Sequence, residues 1–229
     1  LASCAPPSTT VTPRSAPSSS SPSSGAPARR RERSDILDPA MTAPAVRRAT
    51  YDDVLRAPAN TIAEVIYGTL CTHARPAVPH ASASSHLGSL ITGPFRFGTG
   101  GPGGWILLDE PELHLGSEPD ILVPDLAGWH RDRLAGLPRE RPWTAVAPDW
   151  ICEVLSPSTQ AIDRGLKLEI YLREQVRHVW LIDPINLILE IYRHDGPLWH
   201  RVAGYTGNVT VRAEPFDAIE LPLQWLWEP

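Results

Sequence analysis

Lysine is almost missing from this chain: Lys167 is the only one, against 20 arginines. Arginine supplies the generic positive charge here. The one retained ammonium is a compact cation whose pKa its surroundings can move, whereas a guanidinium is a planar fork that keeps its proton. Cysteine is scarce too, and Cys4, Cys71 and Cys152 form no CxxC pair, so the usual zinc spacing is absent. A reducing cytosol is the expected compartment. No apolar run approaches the roughly 18–20 residues that a membrane span needs, so no membrane partner is expected. Basic excess is also lacking. Net charge is −5, and residues 1–40 hold five arginines against three acids, so the remainder carries −7. That balance argues against a broad non-specific hold on nucleic acid and confines any such contact to a local site.

Two familiar catalytic signatures are missing as well. Residues 98–104, GTGGPGG, match GxGxxG in form. No strand leads into them, Pro102 interrupts them, a strand-like WILL follows and no Walker lysine comes after, so a flexible connection is the better reading. Ser156 and Ser158 follow an acidic strand end but lack the GxSxG setting of a serine hydrolase. The eight tryptophans are scattered, as core residues are, rather than spaced as a stacking platform.

What is present begins with a leader. Residues 1–28 are rich in Pro, Ser and Ala and have too little apolar surface to offset chain entropy, which predicts disorder. A cluster, Arg29 to Arg31 with Arg33, follows. The only methionine, Met41, reads as the initiator, which would make residues 1–40 an upstream extension. Leu1-Ala2-Ser3-Cys4 offers a competing reading as a lipoprotein cleavage box, although no apolar signal core precedes it. The expected organisation is a disordered leader over 1–44 and one domain over 45–229.

Within the domain, Thr50 to Leu55 starts as a capped helix, and Ala63 to Leu70 reads as a strand ending near Gly68. Ser82 to Ile91 reads as a helix bearing His86. Short extended segments follow at Trp105–Leu108, Leu113–Leu115 and Ile121–Val123, then a polar loop over Gly128–Pro148. Trp150–Leu155 and His178–Asp183 are apolar strands. Between them Thr159–Glu174 is helical, with Ile162, Leu166 and Ile170 at i, i+4, i+8. Leu187–Arg193 and Trp199–Val202 form a hairpin turned by Asp195-Gly196. The fold class is α/β: a mixed central sheet flanked by helices.

Three pieces carry chemistry. Asp120 lies at the lip of a strand in EPDILVPD, and Asp125, in a second Pro-Asp pair, competes for the same role; the β-branched strand after Asp120 favours it. Glu153 lies inside the apolar strand WICEVL, an expensive place for a carboxylate without a partner or a cation. Asp163, Lys167 and Tyr171, spaced by four, share one side of a helix. Two carboxylates at neighbouring strand ends make a hard-oxygen site suited to Mg²⁺ or Mn²⁺. A lysine leaning into such a site stabilises a metal-bound hydroxide or the charge developing on a phosphate. The plain alternatives are an arginine bridge for Glu153, an ordinary helix pair for Asp163 and Lys167, and a helix-face role for His86.

These motifs, with ATYDDVL, AEVIYG, EPDILVPDLAGW, DWICEVLSPST and HVWLIDP, resemble the PD-(D/E)XK nuclease superfamily and, more closely, its Uma2 branch of restriction-endonuclease-like proteins over most of residues 45–228. The parent motif has lysine two residues after the glutamate, where this chain has Leu155; in the Uma2 branch the lysine comes from the next helix, here Lys167. The resemblance implies a metal-dependent endonuclease acting on DNA; cutting both strands wants two sites, for which a homodimer is one arrangement. It implies Asp120 and Glu153 as ligands for Mg²⁺ or Mn²⁺, the Val154 carbonyl as a third, and Glu64 nearby. Lys167 would orient or activate the attacking water, and His86, Asp163 and Tyr171 would surround the site or face substrate. Two rivals are a non-catalytic nucleic-acid or protein interaction module that kept the fold, favoured by the acidic balance, and a hydrolase of another phosphorylated substrate.

Overall fold

The computed structural model describes residues 47–134 and 140–228. The Pro/Ser leader, the arginine cluster and Met41 lie outside the described residues. The chain enters through α1 (Tyr51–Leu55), where the Thr50 backbone N–H donates to Asp53 Oδ2 at 2.8 Å in a capping box. Strands β1 (Thr61–Ile66) and β2 (Thr69–Ala74) then pair antiparallel. Their two-residue turn has both φ angles positive, 49° at Tyr67 and 76° at Gly68, the hairpin geometry whose twist matches that of the strands. The strand expected over Ala63–Leu70 is therefore the inner part of a hairpin.

Helix α2 (Val78–Ile91) begins four residues earlier than the sequence suggests, because Pro79 sits in its first turn, where a missing N–H costs nothing. It runs into a π-helical turn, Thr92–Phe97. Strands β3 (Trp105–Asp109), β4 (Glu112–Leu115), β5 (Asp120–Leu122), β6 (Leu126–His130), β7 (Trp143–Thr144) and β8 (Trp150–Val154) follow. β6 and β7 lie where a loop was expected over most of their length. Gly128 in β6 masks the strand signal, and it is required there: a Cβ would come within 2.9 Å of Leu107 and 3.2 Å of the Trp105 and Trp150 rings. The helical stretch after β8 comprises α3 (Gln160–Ile162), a π-helical turn Asp163–Lys167 and α4 (Leu168–Arg173). Strands β9 (His178–Asp183), β10 (Ile188–Asp195), β11 (Leu198–Thr206), β12 (Thr210–Val211) and β13 (Leu221–Pro222), and α5 (Gln224–Trp227), complete the fold.

The strands form two large mixed sheets rather than one. The first has the order β2-β1-β5-β4-β7 and the second β11-β10-β9-β8-β6-β3, with parallel pairing only at β4/β7 and β8/β9 among the described residues. The β8–helix–β9 unit is thus the crossover that a parallel pair requires. Alternation along β8 divides the interior. Trp150, Cys152 and Val154 join α2, Trp180, Phe216 and the C-terminal segment in one core. Ile151 and Leu155 join α4 and residues of both sheets, among them Ile66, Leu113 and Leu181, in another. By the same alternation Glu153 faces the second core, toward the helix carrying Lys167.

Candidate active site

The end of β8 is where polar chemistry enters this apolar frame. Glu64, Asp125, Glu153, Val154, Asp163 and Lys167 line one cavity of about 340 Å³ with His73 and His80. Lys167 is at its centre. Its Nζ lies 3.0 Å from Glu64 Oε1, 3.3 Å from Glu153 Oε1 and 3.4 Å from Asp163 Oδ1, and the side chain is only 6% exposed. The π-helical turn contributes to this placement. Its wider winding carries both Asp163 and Lys167 inward in a segment of five residues, and such turns recur at functional sites.

Each carboxylate is held from behind. Glu64, in the middle of β1, accepts from the Val123 backbone N–H at 2.8 Å. His73 Nε2 lies 3.3 Å from its second oxygen, which has no hydrogen-bond donor directed at it. Glu153 accepts from the Tyr171 hydroxyl at 2.5 Å. Asp125 accepts from the Val154 N–H at 2.7 Å, capping β8 where its partner β6 has run out. The other Asp125 oxygen is 3.3 Å from His80 Nε2, while His80 Nδ1 is buried without a partner.

Three buried carboxylates, Glu64, Glu153 and Asp163, and the partly buried Asp125 thus face one ammonium, and the ionisation equilibria reflect it. Burial raises Lys167's neighbours Glu153 and Asp163 above the ordinary carboxylate range, against the pull of the Lys167 charge. Burial also pushes Asp125 up to about 7, although the Val154 N–H and Lys167 oppose it. Glu64 goes the other way: burial would raise it, but Lys167, His73 and the Val123 N–H together hold it below its usual value. Lys167 itself is held well above the usual lysine value. Burial alone would lower it, and Glu153, Glu64 and Asp163 outweigh that. Its surroundings favour the charged form.

Sequence reasoning placed Glu64, Glu153, Val154, Asp163, Lys167 and Tyr171 together, and the structure brings these six to one place. It does not bring Asp120 there. Asp120 stands at the opposite end of β5 in a separate cleft with Arg48, Tyr67, Glu118, Arg173 and Glu174. It accepts from Arg173 at 2.8 Å and from the Tyr67 N–H at 2.5 Å, so its charge is already matched. Asp125, the alternative, occupies the cavity. His86 is also elsewhere, its Nδ1 3.3 Å from Ser82 Oγ on the same helix. The histidines at the site are His73 and His80. Reading α2 from its first proline would have put His80 on the helix; no sequence signal singles out His73.

Among the described residues, no three His, Cys, Asp or Glu side chains are gathered closely enough to hold a metal ion by themselves. The donor set nonetheless fits a hard divalent cation. It offers carboxylate oxygens and a backbone carbonyl, with the His73 and His80 imidazoles beside them, and Glu64 has an oxygen with no hydrogen-bond donor directed at it.

No helix among the described residues is long and apolar enough to cross a membrane. No curated protein matches this chain. A solved structure from Anabaena variabilis ATCC 29413, described as a "putative nuclease belonging to DUF820", is similar in fold, with TM-score 0.61 and 22% identity over 78% of this chain and 97% of its own. The Uma2 family model, described as "Putative restriction endonuclease", matches residues 49–224, and the chain belongs to the Uma2 family.

Proposed function

We propose that this protein is a nuclease that hydrolyses phosphodiester bonds in DNA at the acidic cavity, with Mg²⁺ or Mn²⁺ as cofactor. The observation that carries this reading is the convergence of four carboxylates, three of them buried, on one lysine at the open end of β8. Asp125 and Glu153 would hold the cation, with the Val154 carbonyl and Glu64 beside them. The cation would supply Lewis acidity toward the phosphate and toward water.

The remaining roles belong to side chains. Lys167 supplies a fixed positive charge where negative charge develops on the phosphate, and it keeps Glu64 and Glu153 from repelling each other. Tyr171 fixes the rotamer of Glu153. His80 orients Asp125. A side chain locked in this way loses little freedom on binding, as a working site needs. Nicking of supercoiled plasmid with added Mg²⁺ tests the reading. Glu153→Gln and Asp125→Asn should each slow it on the order of 10²–10³-fold, while Asp120→Asn leaves it within a few-fold. Wild-type levels of nicking by Glu153→Gln would defeat the assignment.

The acidic balance of the domain favours one alternative, a module that binds a partner without cleaving it. Folded wild-type protein that binds DNA and leaves it intact at every Mg²⁺ and Mn²⁺ concentration would decide for that alternative.

A further inference from the structure

The opposite end of the same parallel strand pair has the opposite character. Arg133, Gln175, Arg177, His178, Arg193 and His194 line a cleft of about 540 Å³ beside the first residues of β8 and β9. Every lining side chain can donate a hydrogen bond and none is a carboxylate. The backbone ties the cleft together: the Arg177 and His178 N–H groups donate to the Asp149 carbonyl at 3.2 and 3.1 Å, and the His194 N–H donates to the Arg177 carbonyl at 2.8 Å. Two acids stand behind the cleft. Buried Asp149 pairs with Arg133 at 2.7 Å and lies 3.8 Å from Arg177 Nε. Glu214 takes a single nitrogen of Arg193 at 3.0 Å and lies 3.9 Å from His178.

Three guanidiniums therefore face two carboxylates, and most of their donors are unused. Arg177 is 69% exposed with that one long contact, and Arg193 is 46% exposed and engages Glu214 through Nη1 alone. Forked donors with outward N–H groups suit the oxygens of a phosphate. In a chain with a net charge of −5, such a local excess is the place where a polyanion can be held. The acidic cavity cannot hold one by charge.

We propose that this cleft binds the phosphate backbone of nucleic acid, flanking the acidic cavity and separate from it. The choice of nucleic acid over a small phosphate rests on the nuclease reading. The two sites lie at the two ends of β8, whose residues span about 13 Å.

The test is binding without cleavage: fluorescence anisotropy of a short labelled duplex, in EDTA, across a range of salt. The double variant Arg177→Ala/Arg193→Ala should bind about tenfold more weakly, and the slope of log affinity against log salt should fall by about two. Arg56→Ala, an exposed arginine at the end of α1 that does not line the cleft, should match wild type, and equal thermal midpoints would show that all variants fold. Unchanged affinity and slope in the double variant would overturn the proposal. So would wild-type protein that fails to bind duplex but binds inorganic pyrophosphate by calorimetry in a manner dependent on Arg177, which would make the cleft a small-anion site. Nicking is not measured here, so a failure of the nuclease assignment appears in the Glu153→Gln experiment and not in this one.

Discussion

Asp120 and Asp125 each follow a proline, one opening β5 and the other just ahead of β6, and the fold gives them contrasting surroundings. Asp120 receives an arginine and a backbone N–H, and its charge ends there. Asp125 receives one N–H and a histidine, faces the further acids Asp163 and Glu110, and is pushed up to about 7 by burial. Both are carboxylates at strand ends, and local sequence does not separate them. Charge balance does. An acid with its own arginine has no unmet demand, whereas an acid in a group of four around one ammonium is a place for a further cation. On the proposed nuclease reading, the difference makes Asp120 structural and Asp125 part of the chemistry.

The strongest way to break this contrast is to remove the charge on which the acidic group depends. Lys167→Met should destabilise the cation-free protein by about 3–5 kcal/mol at neutral pH, because it leaves Glu64, Glu153 and Asp163 buried without a counter-charge. The loss should shrink as pH falls and the acids take up protons. Urea unfolding at pH 5 and pH 8 measures it, and an equally large loss at both values would mean that Lys167 is holding the fold by packing alone.

The paired acid should respond less. Arg173→Ala removes the partner of Asp120, but Arg173 is 41% exposed, so water can reach the orphaned carboxylate and the penalty for a buried pair is discounted to about 1–2 kcal/mol. Nicking by the folded variant should be unchanged. A large loss of activity with intact folding would return Asp120 to the active site.

Much of this site is legible in the sequence because its clues are local. Glu153 is conspicuous inside an apolar strand, and Asp163, Lys167 and Tyr171 share a helix face at spacings of four. The choice between Asp120 and Asp125 is not local. It depends on which of the two lies beside the end of β8, and the β6/β8 register, Leu126 opposite Cys152, puts Asp125 there. β6 itself is hard to see because Gly128, needed for close packing of Leu107, Trp105 and Trp150, reads as a loop residue. The two-sheet arrangement is equally hidden, since strand periodicity reports burial and not which sheet a strand joins. His73 and His80 reach the cavity through a hairpin and a helix start, both tertiary placements.

The subtlest test uses protons as competitors. Asp125 has a folded-state pKa of about 7, above its value of about 3.9 in an unfolded chain. The folded protein therefore binds that proton more tightly, and ∂ΔG/∂pH is negative between those two values. Stability from this group is full below pH 4, declines toward pH 7 and stays lost above it. A divalent cation bound at Asp125 replaces the missing proton. Mg²⁺ should therefore raise the thermal midpoint by a few degrees at pH 8 and by clearly less at pH 6, where protonated Asp125 must first be deprotonated. The increment should vanish in Asp125→Asn and persist in Asp120→Asn. An increment that is the same at both pH values, or that survives Asp125→Asn, would place the cation elsewhere and remove the distinction between Asp120 and Asp125.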